Sequence, residues 1–310
     1  MARAKVRAKK RIVGIYPGHA RAMLYLFPFI VLFAVFFTQR DSTTASSLSA
    51  PTVSHQAEPA LGWAFADALV KNRDSYRHAS GRDGFPEWSS YTREYFLALT
   101  NRRTSVISWA QSQPTPPAVV FIGNIHVNPD GSNSPERVAE IDQLQQSVFH
   151  RLLTHSADAD VIAFEEAGLD GVITPDRYVE HTQHVMFNMY GVSLPIEEIR
   201  GVVSRDRQPG TRAIYELTTP TIFGEEWPLY LETRLLTRGP PADPDSQRVL
   251  GELITSFDQL RSEIILIRTL EFLRSVHGHK GVIVQGDAHR SDIEALCTLY
   301  RVTFLGVPVN

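Results

Sequence analysis

Two histidines at matching positions in two look-alike segments are the residues best spaced for chemistry. His126 closes GNIH (123–126) behind the apolar run VVFI, and His289 closes GDAH (286–289) behind VIVQ. Between them, DVIAFEE (160–166) is another short apolar run, ending on the carboxylates Glu165 and Glu166. Imidazole nitrogen and carboxylate oxygen are ligands for zinc, manganese or cobalt, and an ion with an open position activates water. Glu165 is read as the metal ligand beside His126 and His289, and Glu166 as the base that takes the water's proton. Successive strand residues face opposite ways, so only one of the two glutamates is expected to enter the site. Alone, either histidine reads as turn filler and the glutamates as the start of a solvated loop. The repeated placement of the pair is what favours function.

A further candidate is Arg268. At 100° per residue, Leu250, Leu253, Phe257, Leu260 and Ile264 form one stripe of a long helix, and Arg268 falls in its middle. A guanidinium turned toward a core needs an anion. A structural pair with Glu271 and a role in steadying developing negative charge both satisfy that need. The pairs His181/His184 and His277/His279 lie in polar stretches and read as surface residues. Phosphate loops, Gly-x-Ser-x-Gly elbows and His-Glu-x-x-His motifs are absent from the sequence.

The elements that must position these residues are legible in outline. Helical patterns cover 61–72 and 90–111, and QPTPP (113–117) breaks the chain before a strand at Ala118–Ile122. Ser134 followed by Pro135 is a helix start, and that helix should run to about Thr154. Strand 160–166 follows, then mainly helical residues over 176–240, a long helix over Ser246–Val276, the strand before His289, the helix SDIEALCTLY and the last strand RVTFLGV. Apolar strands alternating with helices predict an α/β domain: a mainly parallel sheet with helices on both faces, built from two similar strand-GxxH-helix-strand units. Cys297, the only cysteine, lies in an apolar helical pattern and is expected in the core.

Ahead of the domain, Arg3, Lys5, Arg7, Lys9, Lys10 and Arg11 precede an uncharged apolar run at 22–38. This predicts a basic cytoplasmic tail (1–21), a transmembrane anchor (22–38) held in membrane lipid, a Ser/Thr/Pro-rich tether (39–60) and an extracytoplasmic domain (61–310). The uncleaved anchor is favoured over a cleaved signal peptide because the apolar run exceeds a usual signal core. The formal charge of −3 offers no surplus for nucleic acid.

FIGNIHVN, VIAFEEAG and IRTLEFLRSVHGHKGVIVQGDAHRSDIEAL together resemble the TraB/TIKI superfamily, which also takes in the erythromycin esterases and the haem-binding ChaN lipoproteins. The resemblance implies a membrane-tethered, metal-dependent hydrolase of the peptidase or esterase type acting on a peptide or small molecule. It maps the family's features onto Gly123 with His126, Glu165 with Glu166, Arg268, and Gly286 with His289. Haem or ligand binding without turnover, or a structural relative that has lost the chemistry, are the alternatives it carries. The chain departs from parts of the group: Asn124 follows the first motif's glycine where esterase-like and ChaN-like members have glutamate. Thr269 follows the arginine where asparagine is frequent.

Overall fold

The computed structural model of the chain describes residues 88–124, 134–167, 169–225 and 244–308. Both His126 and the expected anchor and tether lie outside those residues, as does the helical pattern at 61–72. Among the described residues no helix is long and apolar enough to cross a membrane.

Among the described residues five strands form one parallel sheet: β1 (Ala118–Asn124), β2 (Val161–Ala167), β3 (Thr221–Glu225), β4 (Lys280–Gly286) and β5 (Thr303–Val307), in the order β3-β2-β4-β1-β5. Every strand buried on both faces must be apolar on both, which is why VVFI, VIAF and VIV show no alternation. The odd-numbered residues Val119, Phe121, Val161, Ala163 and Ile283 pack on one face against α1 (Trp88–Ser112), α6 (Pro244–Val276) and α7 (Arg290–Tyr300). Their neighbours Val120, Ile122, Ile162, Phe164, Val282 and Val284 pack on the other, against α2 (Pro135–Ser156), α3 (Pro175–Tyr190), α4 (Ile196–Val203) and α5 (Pro209–Glu216). Cys297 is buried in the first of these cores, and burial pushes its thiol up to about 12.

Local chemistry starts and ends these elements as the residue types require. Ser134 accepts a hydrogen bond from the backbone N–H of Arg137 at 3.2 Å, with Pro135 in the first turn of α2. Thr174 caps α3 in the same way ahead of Pro175. Strand β3 corrects the helical reading of 176–240. Five residues are too few to display a period, and Pro220 ahead of them ends the preceding helical pattern.

α6 sits unusually low on the sheet. A Cβ on Gly224 would lie 2.2 Å from Ile265, and one on Gly281 would lie 2.6 Å from Thr269. Two missing side chains therefore let the long helix approach, which brings Arg261 and Ser262 at its middle to the carboxyl ends of β2 and β4. A buried triad locks its other side. Glu263 is fully buried, 2.9 Å from Arg103 Nε of α1, and accepts from the Tyr300 hydroxyl of α7 at 2.6 Å. Burial and the Glu263 charge hold that phenol far above its ordinary range.

The two expected units are interleaved. The chain goes from β1 through α2 to β2, stepping over β4, and from β4 through α7 to β5, stepping over β1 in the opposite direction. Crossovers of one hand that move in opposite directions must lay their helices on opposite faces, and α2 and α7 do lie so. Exchanging β1 with β4 and β2 with β5 maps one unit on the other, a pseudo-twofold relation with its axis between β1 and β4.

On the second face, Asp206 gives a stability prediction. Its carboxylate accepts from the Thr211 hydroxyl at 2.8 Å and from the Gln208 N–H at 3.2 Å, yet burial raises its pKa above 3.8. The unfolded carboxyl releases its proton first as pH rises, so the folded state binds more protons in that window and stability falls with rising pH until the folded pKa is passed. Asp206→Asn should therefore raise Tm at pH 7 and flatten Tm between pH 4 and 7, measured by calorimetry. A lower Tm at pH 7 would mean that the charged form is the one the fold uses.

Candidate functional site

Ligands in open parallel sheets bind where neighbouring strands send their helices to opposite faces. Here that crevice lies between β1 and β4, whose last residues, Asn124 and Gly286, are register partners. The GxxH segments thus leave from adjacent strand ends at the one point in the sheet where a crevice must open. The first of them, with His126, continues beyond the described residues. The second turns directly into a short 3-10 segment, Asp287–His289.

His289 is buried, and three elements fix it. Its Nδ1 lies 2.9 Å from the Ser262 hydroxyl on α6. That hydroxyl has one proton to give, and it has other acceptors for it: the Asp258 carbonyl at 3.0 Å and the Asp292 carboxylate. When Ser262 gives its proton to one of these it accepts from Nδ1–H, and Nε2 is then the imidazole's lone-pair nitrogen. Nε2 is 3.6 Å from Glu165 Oε1. The carboxylate of Glu165, also buried, accepts the Gly286 N–H at 2.7 Å through Oε2 and receives the Arg261 guanidinium on Oε1. Arg261 in turn lies 3.4 Å from Asp258. Burial raises both Asp258 and Asp292 above the ordinary carboxylate range, opposed by Arg261 and His289 at Asp258 and by His289 and Ser262 at Asp292.

Of the expected metal set, Glu165 and His289 come together. Glu166 leaves β2 on the other face, with its Oε1 beside Gly210 at the start of α5, and so does not share their side of the sheet. Among the described residues no group of three or more His, Cys, Asp or Glu is arranged to hold a metal ion. A separation of 3.6 Å suits two ligands of one tetrahedral ion. Against that, the oxygens of Glu165 are engaged by a guanidinium and a backbone N–H, and a divalent ion would sit beside a fixed positive charge. The described residues fit an acid–base centre better than a metal centre.

Arg268 is nine-tenths buried, but its anion is Asp170, at 2.6 Å, with the Leu169 carbonyl at 3.4 Å. Glu271 instead binds Arg102 of α1 through contacts of 2.8–3.2 Å. A partner three residues along the helix lost to one across a helix interface. Arg268 thus pins the chain just after β2, and since Asp170 is nearly fully exposed the ion pair itself adds little. Arg268→Met should lower Tm by no more than about 3 °C; a fall in kcat at unchanged Tm would assign the guanidinium to chemistry. The arginine that reaches the Glu165 carboxylate is Arg261, which sequence reasoning passed over. It lies seven residues before Arg268, hence within 20° of it on the same stripe, so the same signal marks both.

Asp287 occupies the room left by the missing side chain of Gly123, where a Cβ would lie 2.1 Å from its carboxylate oxygen. It binds Arg290, which also reaches the Val307 carbonyl, and so ties the turn to β5. Comparisons with protein-family models, with curated proteins and with solved structures found no match.

Proposed function

We propose that the chain is a hydrolase working in the crevice between β1 and β4, with His289 as the base that takes a proton from the attacking water. The observation that carries this reading is the buried placement of the imidazole: Nδ1 lies 2.9 Å from the Ser262 hydroxyl and Nε2 lies 3.6 Å from the Glu165 carboxylate, and the tautomer that gives Nδ1–H to Ser262 leaves Nε2 to take the proton. As Nε2 gains its proton, the Glu165 carboxylate, held by the Arg261 guanidinium, stabilises the imidazolium. The metal-bound form, with His126, Glu165 and His289 around one ion, rests on the same 3.6 Å separation and would need a base other than Glu166, which lies on the other face. The contact of Arg261 with Glu165 favours the metal-free form.

Hydrolysis of a panel of ester, lactone and peptide substrates, with metal analysis of the same preparation, tests both. Activity that survives chelation, with well under one ion per chain, is expected. Activity lost with a stoichiometric ion, and an ion lost from a His126→Ala/His289→Ala variant, would restore the metal form. Wild-type protein inert toward the whole panel would end the hydrolase reading.

The proposal includes the extracytoplasmic setting read from the basic tail and the apolar run at 22–38. Protease added to intact cells should digest residues beyond about 60 and spare the first 20 or so. A fully protected domain would overturn that orientation.

A further inference from the structure

The two edges of the sheet are finished differently. At the β3 edge, Thr221, Ile222 and Phe223 are buried, and the outward C=O of Thr221 accepts the Ile173 N–H at 2.7 Å. β5, at the other edge, is exposed or half-buried along its length, and Leu305 is 47% exposed. Its hydrogen bonds show which groups face out. The Thr303 N–H donates to the Pro117 C=O at 2.8 Å, so Thr303, Leu305 and Val307 turn their backbone groups toward β1. Phe304 and Gly306 turn theirs outward, where no strand meets them among the described residues. Such an edge is ordinarily blunted by a charge, a proline or a bulge. TFLGV contains no charge and no proline, and its register with β1 is unbroken.

We infer that β5 pairs antiparallel with β5 of a second copy of the chain, joining the two sheets across a twofold axis at Leu305. The outward groups are self-complementary in that register. Phe304 stands opposite Gly306 of the second copy as a hydrogen-bonded pair, and Gly306 opposite its Phe304, so each outward N–H and C=O finds a partner. Leu305 then meets its own counterpart at the non-hydrogen-bonded spacing of about 4.5 Å between Cα atoms. Its side chain shares a face with that of Val120, its register partner, so the two leucines cover each other beside the axis. Slipped registers do worse. One sets Phe304 opposite Pro308, which has no N–H to give. The other sets Gly306 opposite Val302, whose N–H is already held by the Cys297 carbonyl at 2.8 Å. A foreign strand would require no such symmetry, which is why a second copy is the occupant. Because the strands run antiparallel across the axis, the two crevices between β1 and β4 open in opposite directions. The pairing is independent of the chemistry proposed for that crevice.

Cross-linking of the full chain tests the register. Cys297 is buried, so an introduced thiol is the one that reacts. Mild oxidation should link Leu305→Cys into a covalent dimer, because the spacing suits a disulfide. Thr303→Cys alone should stay unlinked, whereas an equimolar mixture with Val307→Cys should link, since those two positions face each other across the axis. Sedimentation of the full chain in mild detergent gives the second reading. Leu305→Lys and Leu305→Glu should each weaken self-association about tenfold or more at unchanged Tm, because like charges meet where two leucines did. Mixing the two variants should restore it. Wild-type chain that stays monomeric at about 100 μM would overturn the inference. So would Thr303→Cys linking as readily as Leu305→Cys, or a lysine and glutamate mixture that associates no better than either alone. A monomer whose Phe304 and Gly306 amides resist hydrogen exchange would also overturn it, and would hand the edge to another segment of the same chain.

Discussion

Glu165→Ala should destabilise the domain by about 3–5 kcal/mol, as a fall in the urea midpoint at unchanged slope. The side chains of Glu165 and Arg261 are 5% and 6% exposed, so their charges have left water and depend on each other. Truncating the carboxylate strands the guanidinium and removes the acceptor of the Gly286 N–H. Asp258, 3.4 Å from Arg261, takes up part of the charge and pulls the loss toward the lower end. The double variant Glu165→Leu/Arg261→Met should recover most of the stability, because apolar groups of similar volume replace a buried pair at little cost. A single alanine costing less than about 1 kcal/mol would mean the pair is hydrated, and the low-dielectric account of the site would fall with it. Neither variant should be active, so stability, read without any substrate, is what separates the pair's structural part from its chemical one.

Strands β1, β2 and β4 were legible because they are buried on both faces: continuous β-branched and aromatic runs leave little else for VVFIG, VIAF and GVIVQG to form. That Glu165 and Glu166 leave β2 on opposite faces also follows from period; which of the two enters the site does not. What could not be read is what depends on contacts between distant residues. β3 is too short to show a period. Arg268 found Asp170 across the sheet end rather than Glu271 one turn away, since helical spacing gives the neighbours a residue has and not the one it chooses. Arg261 and Ser262 lie inside a helix with no motif to mark them. They matter only because α6 settles low over Gly224 and Gly281, a packing fact that no single residue announces. The interleaving of the units, which turns two similar segments into neighbours across one crevice, likewise comes from topology.

The second large effect is expected at the imidazole. On the hydrolase reading, His289→Gln should lower kcat/KM by about 10²–10⁴-fold, the usual contribution of a positioned general base, with Tm within a few degrees of wild type. Glutamine retains a polar group for Ser262 and loses the basic nitrogen, so packing and chemistry separate. Ser262→Ala makes the complementary cut. It leaves Nε2 in place but removes the hydroxyl 2.9 Å from Nδ1, so the ring loses the contact that orients it and selects its tautomer. A loss of about tenfold is expected there, well short of the glutamine variant, because the base survives and only its orientation is diluted. The ordering matters more than either figure. If Ser262→Ala costs as much as His289→Gln, the hydroxyl itself takes part in the reaction, although it is completely buried. If His289→Gln keeps wild-type kcat/KM, the proton leaves water by another route and the base must be sought on the β1 side of the crevice, where the sequence puts His126.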